Sequence, residues 1–325
     1  MSNEASRLLR GTETEENIIT CIECGSECSI KDDLCPTCGQ IPKYIQLKDL
    51  GKKLPIGLLE VVDRGGKTEE ILQKDFDVIA IDWNVERDIS ETWKKIRRQP
   101  GVSVLDYIVC VLVHTVTSLA GMNFRKHKPE RRMAILNNMF GGDIFYMYTW
   151  ARIMSLGEIF TLKGVECQSC PNIFDYPVDL NTLDVGVRND PKSLYKSVTL
   201  RDGFEISGEV RRQVKMRPST FISLSHAPDE NEAEMFAAMI KDAVVGIEGL
   251  PDGSTMTDSD IHRLSKWDMS ILSESVDLVA GGPLWHIEGN CQRCNSEFEQ
   301  LIDWRYTNFF RQSSRFRVSR KRSKK

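Results

Sequence analysis

The chain has 325 residues, is 41% apolar and 28% charged, and carries a formal net charge of −4. These values exclude wholesale disorder and fibrous repeats, and the length allows one large domain or two compact ones, each with a real core. Ten cysteines, behind a first segment that is polar where an export signal would be apolar, argue against a disulfide scaffold and for a cytoplasmic protein.

Residues 1–20 (MSNEASRLLRGTETEENIIT) are expected to form a disordered lead, being polar and aperiodic. A zinc ribbon is expected over 21–42, where Cys21-x2-Cys24 and Cys35-x2-Cys38 stand ten residues apart. A C-x-x-C knuckle lets two thiolates and the amides of its turn converge on one ion, and Gly25 and Gly39 tolerate the tight backbone that follows. Two knuckles supply the closed four-sulfur set of structural zinc; buried surplus thiols or a redox pair are the competing reading. Cys28 is a fifth thiol nearby, either a rival ligand or free.

Residues 43–100 read as a mixed linker segment, with a strand-like VIAIDW (Val78 to Trp83) and a helix from Ile89 to Arg98 capped by Asp88 or Ser90. A main domain is expected over 101–310. Its first helix, Val102 to Ala120, is apolar enough to be buried, while Asp106 and His114 near its middle make membrane insertion costly. Cys110 in that stretch reads as a buried small hydrophobe. A second helix runs from Pro129 through Phe140, and Gly141-Gly142 separates it from a third that continues through Trp150 to Met154.

Beyond Gly164 the pattern turns to strands: PVDLNTLDV alternates, Val198 to Ile206 carries the hairpin signal Asp202-Gly203, and Glu209 to Met216 ends at Arg217-Pro218. Helices resume over Asp229 to Val244, after a cap at Thr257 or Asp258, and over Lys266 to Val279; a final amphipathic helix is expected from Ser296 to Phe310. The fold class is therefore α+β, a mainly helical core with a small antiparallel sheet and zinc-ribbon-like four-cysteine modules. Residues 311–325 form a basic tail expected to be disordered: after Asp303 the chain has nine cations and no acid, so the body is acidic.

Cys167-x2-Cys170 and Cys291-x2-Cys294 hold two thiols each and share a local pattern, VECQSC and GNCQRC. They are expected to pair through space across the long insertion, bringing the total to about two Zn2+ per chain, with two independent dithiols as the alternative. Closed four-thiolate sites leave no open position for substrate, which disfavours metal-activated hydrolysis. The histidines at 114, 127, 226, 262 and 286 form no catalytic grouping, and Gly65-Gly66-Lys67 lacks the rest of a phosphate loop. A non-enzyme without a small-molecule substrate or a membrane partner is expected. A C-x-x-C oxidoreductase would need a thioredoxin-like strand and helix around its dithiol, which the pattern lacks.

From about Ile135 to Phe310 the order of motifs resembles the baseplate assembly family of T-even, contractile-tail phages. The resemblance is carried by MAILNNMFGGDIFYMYTWARIMSLGEIF, by VECQSC before PVDLNTLDV, by TLRDGFEI leading to KMRPST, by IHRLSKWDMSILSESV, and by GNCQRC before SEFEQLIDWRYTNFF. It implies that Cys167, Cys170, Cys291 and Cys294 are a metal-binding set, that Arg217-Pro218 closes the sheet segment, and that Asp268 belongs to the helical unit before the last knuckle. It further implies a scaffold or chaperone for the baseplate hub, partnered by other tail proteins, in the host cytoplasm during assembly or in the virion baseplate. Phe298, Ile302, Phe309 and Phe310 on the last helix are the candidate docking face, with core packing as the competing reading. The N-terminal quartet and the tail lie outside the resemblance. They motivate a rival reading, a zinc-ribbon nucleic-acid-binding protein using Arg315, Arg317, Arg320, Lys321 and Arg322 on phosphates, against which a solvated terminus is the simpler account.

Overall fold

The computed structural model describes residues 18–21, 24–29, 32, 34–38, 44–64, 67–225, 232–251, 253–302, 309 and 310. The chain mixes helices and strands, and among the described residues the strands form six antiparallel sheets, where one small sheet was expected. The lead residues 1–17 and the tail 311–325, with its five candidate phosphate-binding cations, lie outside the described residues.

Strands β1 (Ile18–Thr20) and β2 (Glu27–Ser29) form a ribbon around the first knuckle, so ordered structure begins ahead of Cys21. β3 (Ile45–Gln46) leads into a hairpin of two long strands, β4 (Lys53–Arg64) and β5 (Lys67–Val78), over a stretch expected to be linker. Leu54 and Ile56 are fully buried, which places the hairpin's base in the core. The chain leaves β5 at Val78, and helix α1 (Trp83–Ile96) starts six residues before Ile89. Asp82 accepts from the amides of Asn84 and Val85 at 2.9 Å each, so the helix is capped by Asp82 rather than by Asp88 or Ser90.

The apolar stretch expected as one helix divides into α2 (Asp106–Thr115) and strand β6 (Val116–Leu119), which pairs with the end of β5. No helix among the described residues is long and apolar enough to cross a membrane. β7 (Met122–Asn123), α3 (Pro129–Asn137, with Pro129 in the first turn) and α4 (Gly141–Leu156) follow. One apolar core gathers around α2 and α4, including Leu112, Val113, Leu119, Tyr146 and Tyr148. His114 is a satisfied core histidine, 2.8 Å from the Thr92 hydroxyl, and Cys110 is fully buried.

Strands β8 (Ile159–Glu166) and β9 (Ile173–Asp179) flank the third knuckle, and β10 (Asp184–Gly186) pairs with β3 on one side. A second hairpin, β11 (Lys196–Ile206) and β12 (Glu209–Met216), turns at Ser207-Gly208, both with positive φ (53° and 84°), as a two-residue hairpin loop demands. Asp202-Gly203, expected as that turn, is instead a bulge within β11 where the ladder shifts between Thr199 and Phe204. Gly203 has φ 78°, and a Cβ there would lie 2.4 Å from the Arg211 carbonyl oxygen. Gly203→Ala should therefore lower stability by roughly 2 kcal/mol or more, measurable as a fall in Tm, whereas Gly208→Ala meets nothing within 4 Å and should cost less.

Helix α5 (Phe221–Ser225) buries Phe221 in the first core, while α6 (Glu232–Ala243), α7 (Asp258–Arg263) and α8 (Lys266–Ala280) pack with this hairpin, with strand β13 (Val244–Ile247) added to its edge. A second core forms here from Val198, Phe204, Met216, Ile240 and Leu272. Thr257 caps α7 through a reciprocal capping box with Asp260. β14 (Gly282–Pro283) completes the sheet of β3 and β10, so three remote parts of the chain meet in one short sheet.

The segment expected as a last helix begins instead as a strand, Glu297–Leu301, and among its described residues only Phe309 is helical. β15 (His286–Asn290) and β16 (Glu297–Leu301) pair from His286↔Leu301 to Asn290↔Glu297, closing a ribbon around the fourth knuckle. The knuckle turn forces this outcome, because the Cys291 amide donates to the Ser296 carbonyl at 2.8 Å and returns the chain antiparallel. The four candidate docking residues are corrected accordingly: Phe298, Ile302, Phe309 and Phe310 are all buried in the first core. Phe309 stacks on Tyr148 at 5.4 Å, and its carbonyl accepts from Arg152 Nε at 2.6 Å, contacts that outcompete exposure to a partner.

Candidate metal centres

Each knuckle is built by a short turn that aims sulfur and amides at the same point. At the first, the Cys21 amide donates to the Ser26 carbonyl at 2.8 Å and the Gly25 amide to the Cys21 carbonyl at 2.9 Å, with Gly25 at φ 72°. The fourth knuckle repeats this: Cys291 N–H to Ser296 at 2.8 Å, Asn295 N–H to the Cys291 carbonyl at 2.8 Å, and Asn295 at φ 60°. The residue after the second cysteine takes the left-handed conformation in both, which glycine and asparagine tolerate best. At the third knuckle the Cys167 amide donates to the Asn172 carbonyl at 3.0 Å.

The structure brings the predicted ligands together in two groups, Cys21, Cys24, Cys35 and Cys38, and Cys167, Cys170, Cys291 and Cys294; within each the four sulfurs lie within 4.8 Å of one another. Cys21 and Cys38 Sγ are 3.8 Å apart and Cys24 and Cys35 Sγ 3.7 Å; in the second group Cys167 and Cys294 are 3.6 Å apart and Cys170 and Cys291 3.8 Å. Four thiolates about 2.3 Å from one tetrahedral ion stand about 3.8 Å apart, so both groups have the size of a closed zinc site. In each group the first cysteine of one knuckle faces the second of the other, the arrangement produced when two knuckles approach head to head.

The electrostatics suit thiolate ligands. Amides of Cys38 and Thr37 hold the Cys35 thiol down to about 6, and amides of Cys294 and Arg293 do the same for Cys291, also to about 6, both against burial. Ser26 and Ser296 likewise lower Cys24 and Cys294. Burial instead pushes Cys170 up to about 12, with the neighbouring thiols adding to the rise, so a bound cation would have to displace its proton. Cys28 stays outside the quartet: it is buried in β2, its Sγ lies 3.6 Å from the Ser26 carbonyl, and burial pushes it up to about 12.

The second group rests on a support that the sequence reading did not identify. Phe174, Tyr176 and Phe298 meet edge-on between the two ribbons, with centroids 5.0–6.4 Å apart. Gly289 permits this approach, since a Cβ there would lie 2.8 Å from both Phe298 and Tyr176. Phe298 thus locks the ribbons that carry the knuckles. Asn172 Nδ2 adds a contact at 3.6 Å to Cys291 Sγ, linking one knuckle to the other's ligand.

Elsewhere, a cleft is lined by Glu70, Lys192, Tyr195, Lys215 and Arg217. Lys215 Nζ sits 4.3 Å from the Tyr195 ring and Arg217 pairs with Asp242 at 3.3 Å, so two of its cations are already engaged.

No family model matches the chain, and neither the curated proteins nor the solved structures contain a match to it.

Proposed function

We propose that the protein is a non-catalytic, zinc-clamped scaffold, and that it serves assembly of the baseplate hub of a contractile phage tail. The observation that carries the first part is the second sulfur group. Its two halves come from positions 167–170 and 291–294, so an ion held there ties together distant segments and leaves no coordination position for a substrate. An ion so enclosed supplies folding energy and rigidity. The baseplate setting rests on the order of motifs from Ile135 to Phe310. In that setting the protein works in the host cytoplasm, binding tail-hub proteins and holding their surfaces until the next component arrives.

The test is a pull-down from phage-infected cells, using the intact chain and a chain lacking residues 312–325. The scaffold reading expects both to retain tail-hub proteins, with only weak DNA affinity. Tight DNA binding that falls steeply with salt, is lost with the tail, and occurs without any tail partner would replace it with the nucleic-acid reading.

A further inference from the structure

We infer that residues 53–179 and 196–302 are two copies of one structural unit, joined in tandem, and that each copy supplies one knuckle of the shared four-cysteine site. The main elements come in the same order in both, the two-residue strands β7 in the first and β14 in the second and the short turn Phe124–Lys126 being without counterparts. A hairpin (β4–β5, β11–β12) is followed by a helix (α1, α5), then by a helix that runs directly into a strand added to the hairpin's second strand (α2–β6, α6–β13). A shorter helix and a long one follow (α3–α4, α7–α8), then a ribbon interrupted by C-x-x-C (β8–β9, β15–β16).

The irregularities match as well as the order. The first hairpin shifts register between Lys53 and Leu58, the second between Thr199 and Phe204. The added strand pairs as Phe76↔Leu119, Asp77↔Ser118 and Val78↔Val116 in one unit and as Val214↔Ile247, Lys215↔Gly246 and Met216↔Val244 in the other, each with a shift before its last pair. Val116–Leu119 and Val244–Ile247 share one burial pattern, with both ends buried and the two middle residues half-buried.

The most specific correspondence is a buried carboxylate at the third position of each long helix. Asp143 accepts from the amides of Ile56 and Gly57 at 2.8 and 2.9 Å, in the bulge of β4. Asp268 accepts from Arg201 at 2.7 Å and Gly203 at 2.9 Å, with Asp202 at 3.2 Å, in the bulge of β11. Both aspartates are fully buried. A bulge leaves amides without ladder partners, and burying them requires a dedicated acceptor. Two unrelated units would have no reason to solve that problem with the same residue from the same helix turn, nor to follow it at a similar distance with a knuckle.

The second core, containing Leu272, is drawn from the second unit alone, whereas the first, containing Leu112, also takes in Phe221, Phe298 and Ile302 of the second unit. A single unit carries two thiols and cannot close a four-sulfur site; two like units can, which is why the two knuckles face head to head. This inference rests on backbone pairing and buried carboxylates, independently of the assembly role.

Hydrogen-exchange mass spectrometry of the intact, zinc-loaded chain tests it. Leu112→Ala should speed exchange in 53–156 by at least about thirtyfold while changing 196–216 and 232–280, the ranges that build the second core, by less than about twofold, and Leu272→Ala should do the reverse. The milder Ile108→Val and Ile240→Val should show the same partition at several-fold size if either alanine variant fails to fold. Equal acceleration of both ranges by either pair would mean one indivisible folding unit and overturn the assignment.

Discussion

Replacing Cys291 and Cys294 together by serine should leave about one zinc ion per chain instead of about two, and lower stability by several kcal/mol. Structural zinc binding at neutral pH is worth on the order of 10 kcal/mol, and serine hydroxyls do not replace thiolates at a tetrahedral sulfur site. The loss should exceed that of any single core substitution, because more than the ion is lost: β15–β16 loses its clamp to β8–β9, and Phe298 loses the ribbon that holds it against Phe174 and Tyr176. Elemental analysis beside thermal unfolding reads both effects. The matching change at Cys35 and Cys38 should also remove one ion, yet leave the main unfolding transition nearly in place, since those cysteines cluster with Cys21 and Cys28 apart from the two large cores. Comparable destabilisation by the two pairs would mean that the second site does not clamp the body.

The next largest effect is expected at the bulge carboxylates. Asp143→Ala should cost roughly 3 kcal/mol, because it strands the two buried amides of Ile56 and Gly57, and Asp268→Ala somewhat less, because the Arg201 and Gly203 amides it serves are only partly buried. For Asp143 the cost should also vary with pH. Burial pushes its carboxyl from 3.8 up to about 6, against the amides of Ile56 and Gly57 and the charge of Lys74, which pull it down. An acid raised on folding contributes most where it is protonated, so its contribution is full below about pH 4 and declines as pH rises through about 6. The stability gap between the natural protein and Asp143→Ala should therefore narrow across that window, and measuring the difference between the two proteins cancels what acid does to the shared thiolates. A gap that widens with pH would show that the amides outweigh burial.

What the sequence made legible was the chemistry with fixed spacing. C-x-x-C pairs specify their own turn, so the eight cysteines that cluster and their partition into two groups are legible from spacing alone. Of the two caps the sequence offers for α7, Thr257 and Asp258, the structure uses Thr257, whereas Asp82 is masked as a cap because VIAIDW is β-branched enough to look like strand up to the residue that starts the helix. Asp202-Gly203 has the composition of a hairpin turn, yet a buried carboxylate sixty-odd positions later draws its amides into a bulge, and local composition cannot register so remote an acceptor. The same limit hid the fate of Phe298, Ile302, Phe309 and Phe310. Their spacing fits a helical stripe, but the preceding knuckle dictates a returning strand, and only tertiary contact decides that their faces meet Tyr148 and Tyr176. The resemblance between VECQSC and GNCQRC was visible, whereas the larger likeness between the units lies in backbone irregularities that leave little trace in side-chain identity.

X-ray absorption at the zinc edge, on the purified intact chain with metal content determined on the same sample, reads both four-cysteine sites at once. The account predicts about two zinc ions per chain, each surrounded by four sulfur atoms at about 2.3 Å. A single zinc ion, or a shell with nitrogen or oxygen making up a substantial share of the ligands, would contradict a second site closed by Cys167, Cys170, Cys291 and Cys294.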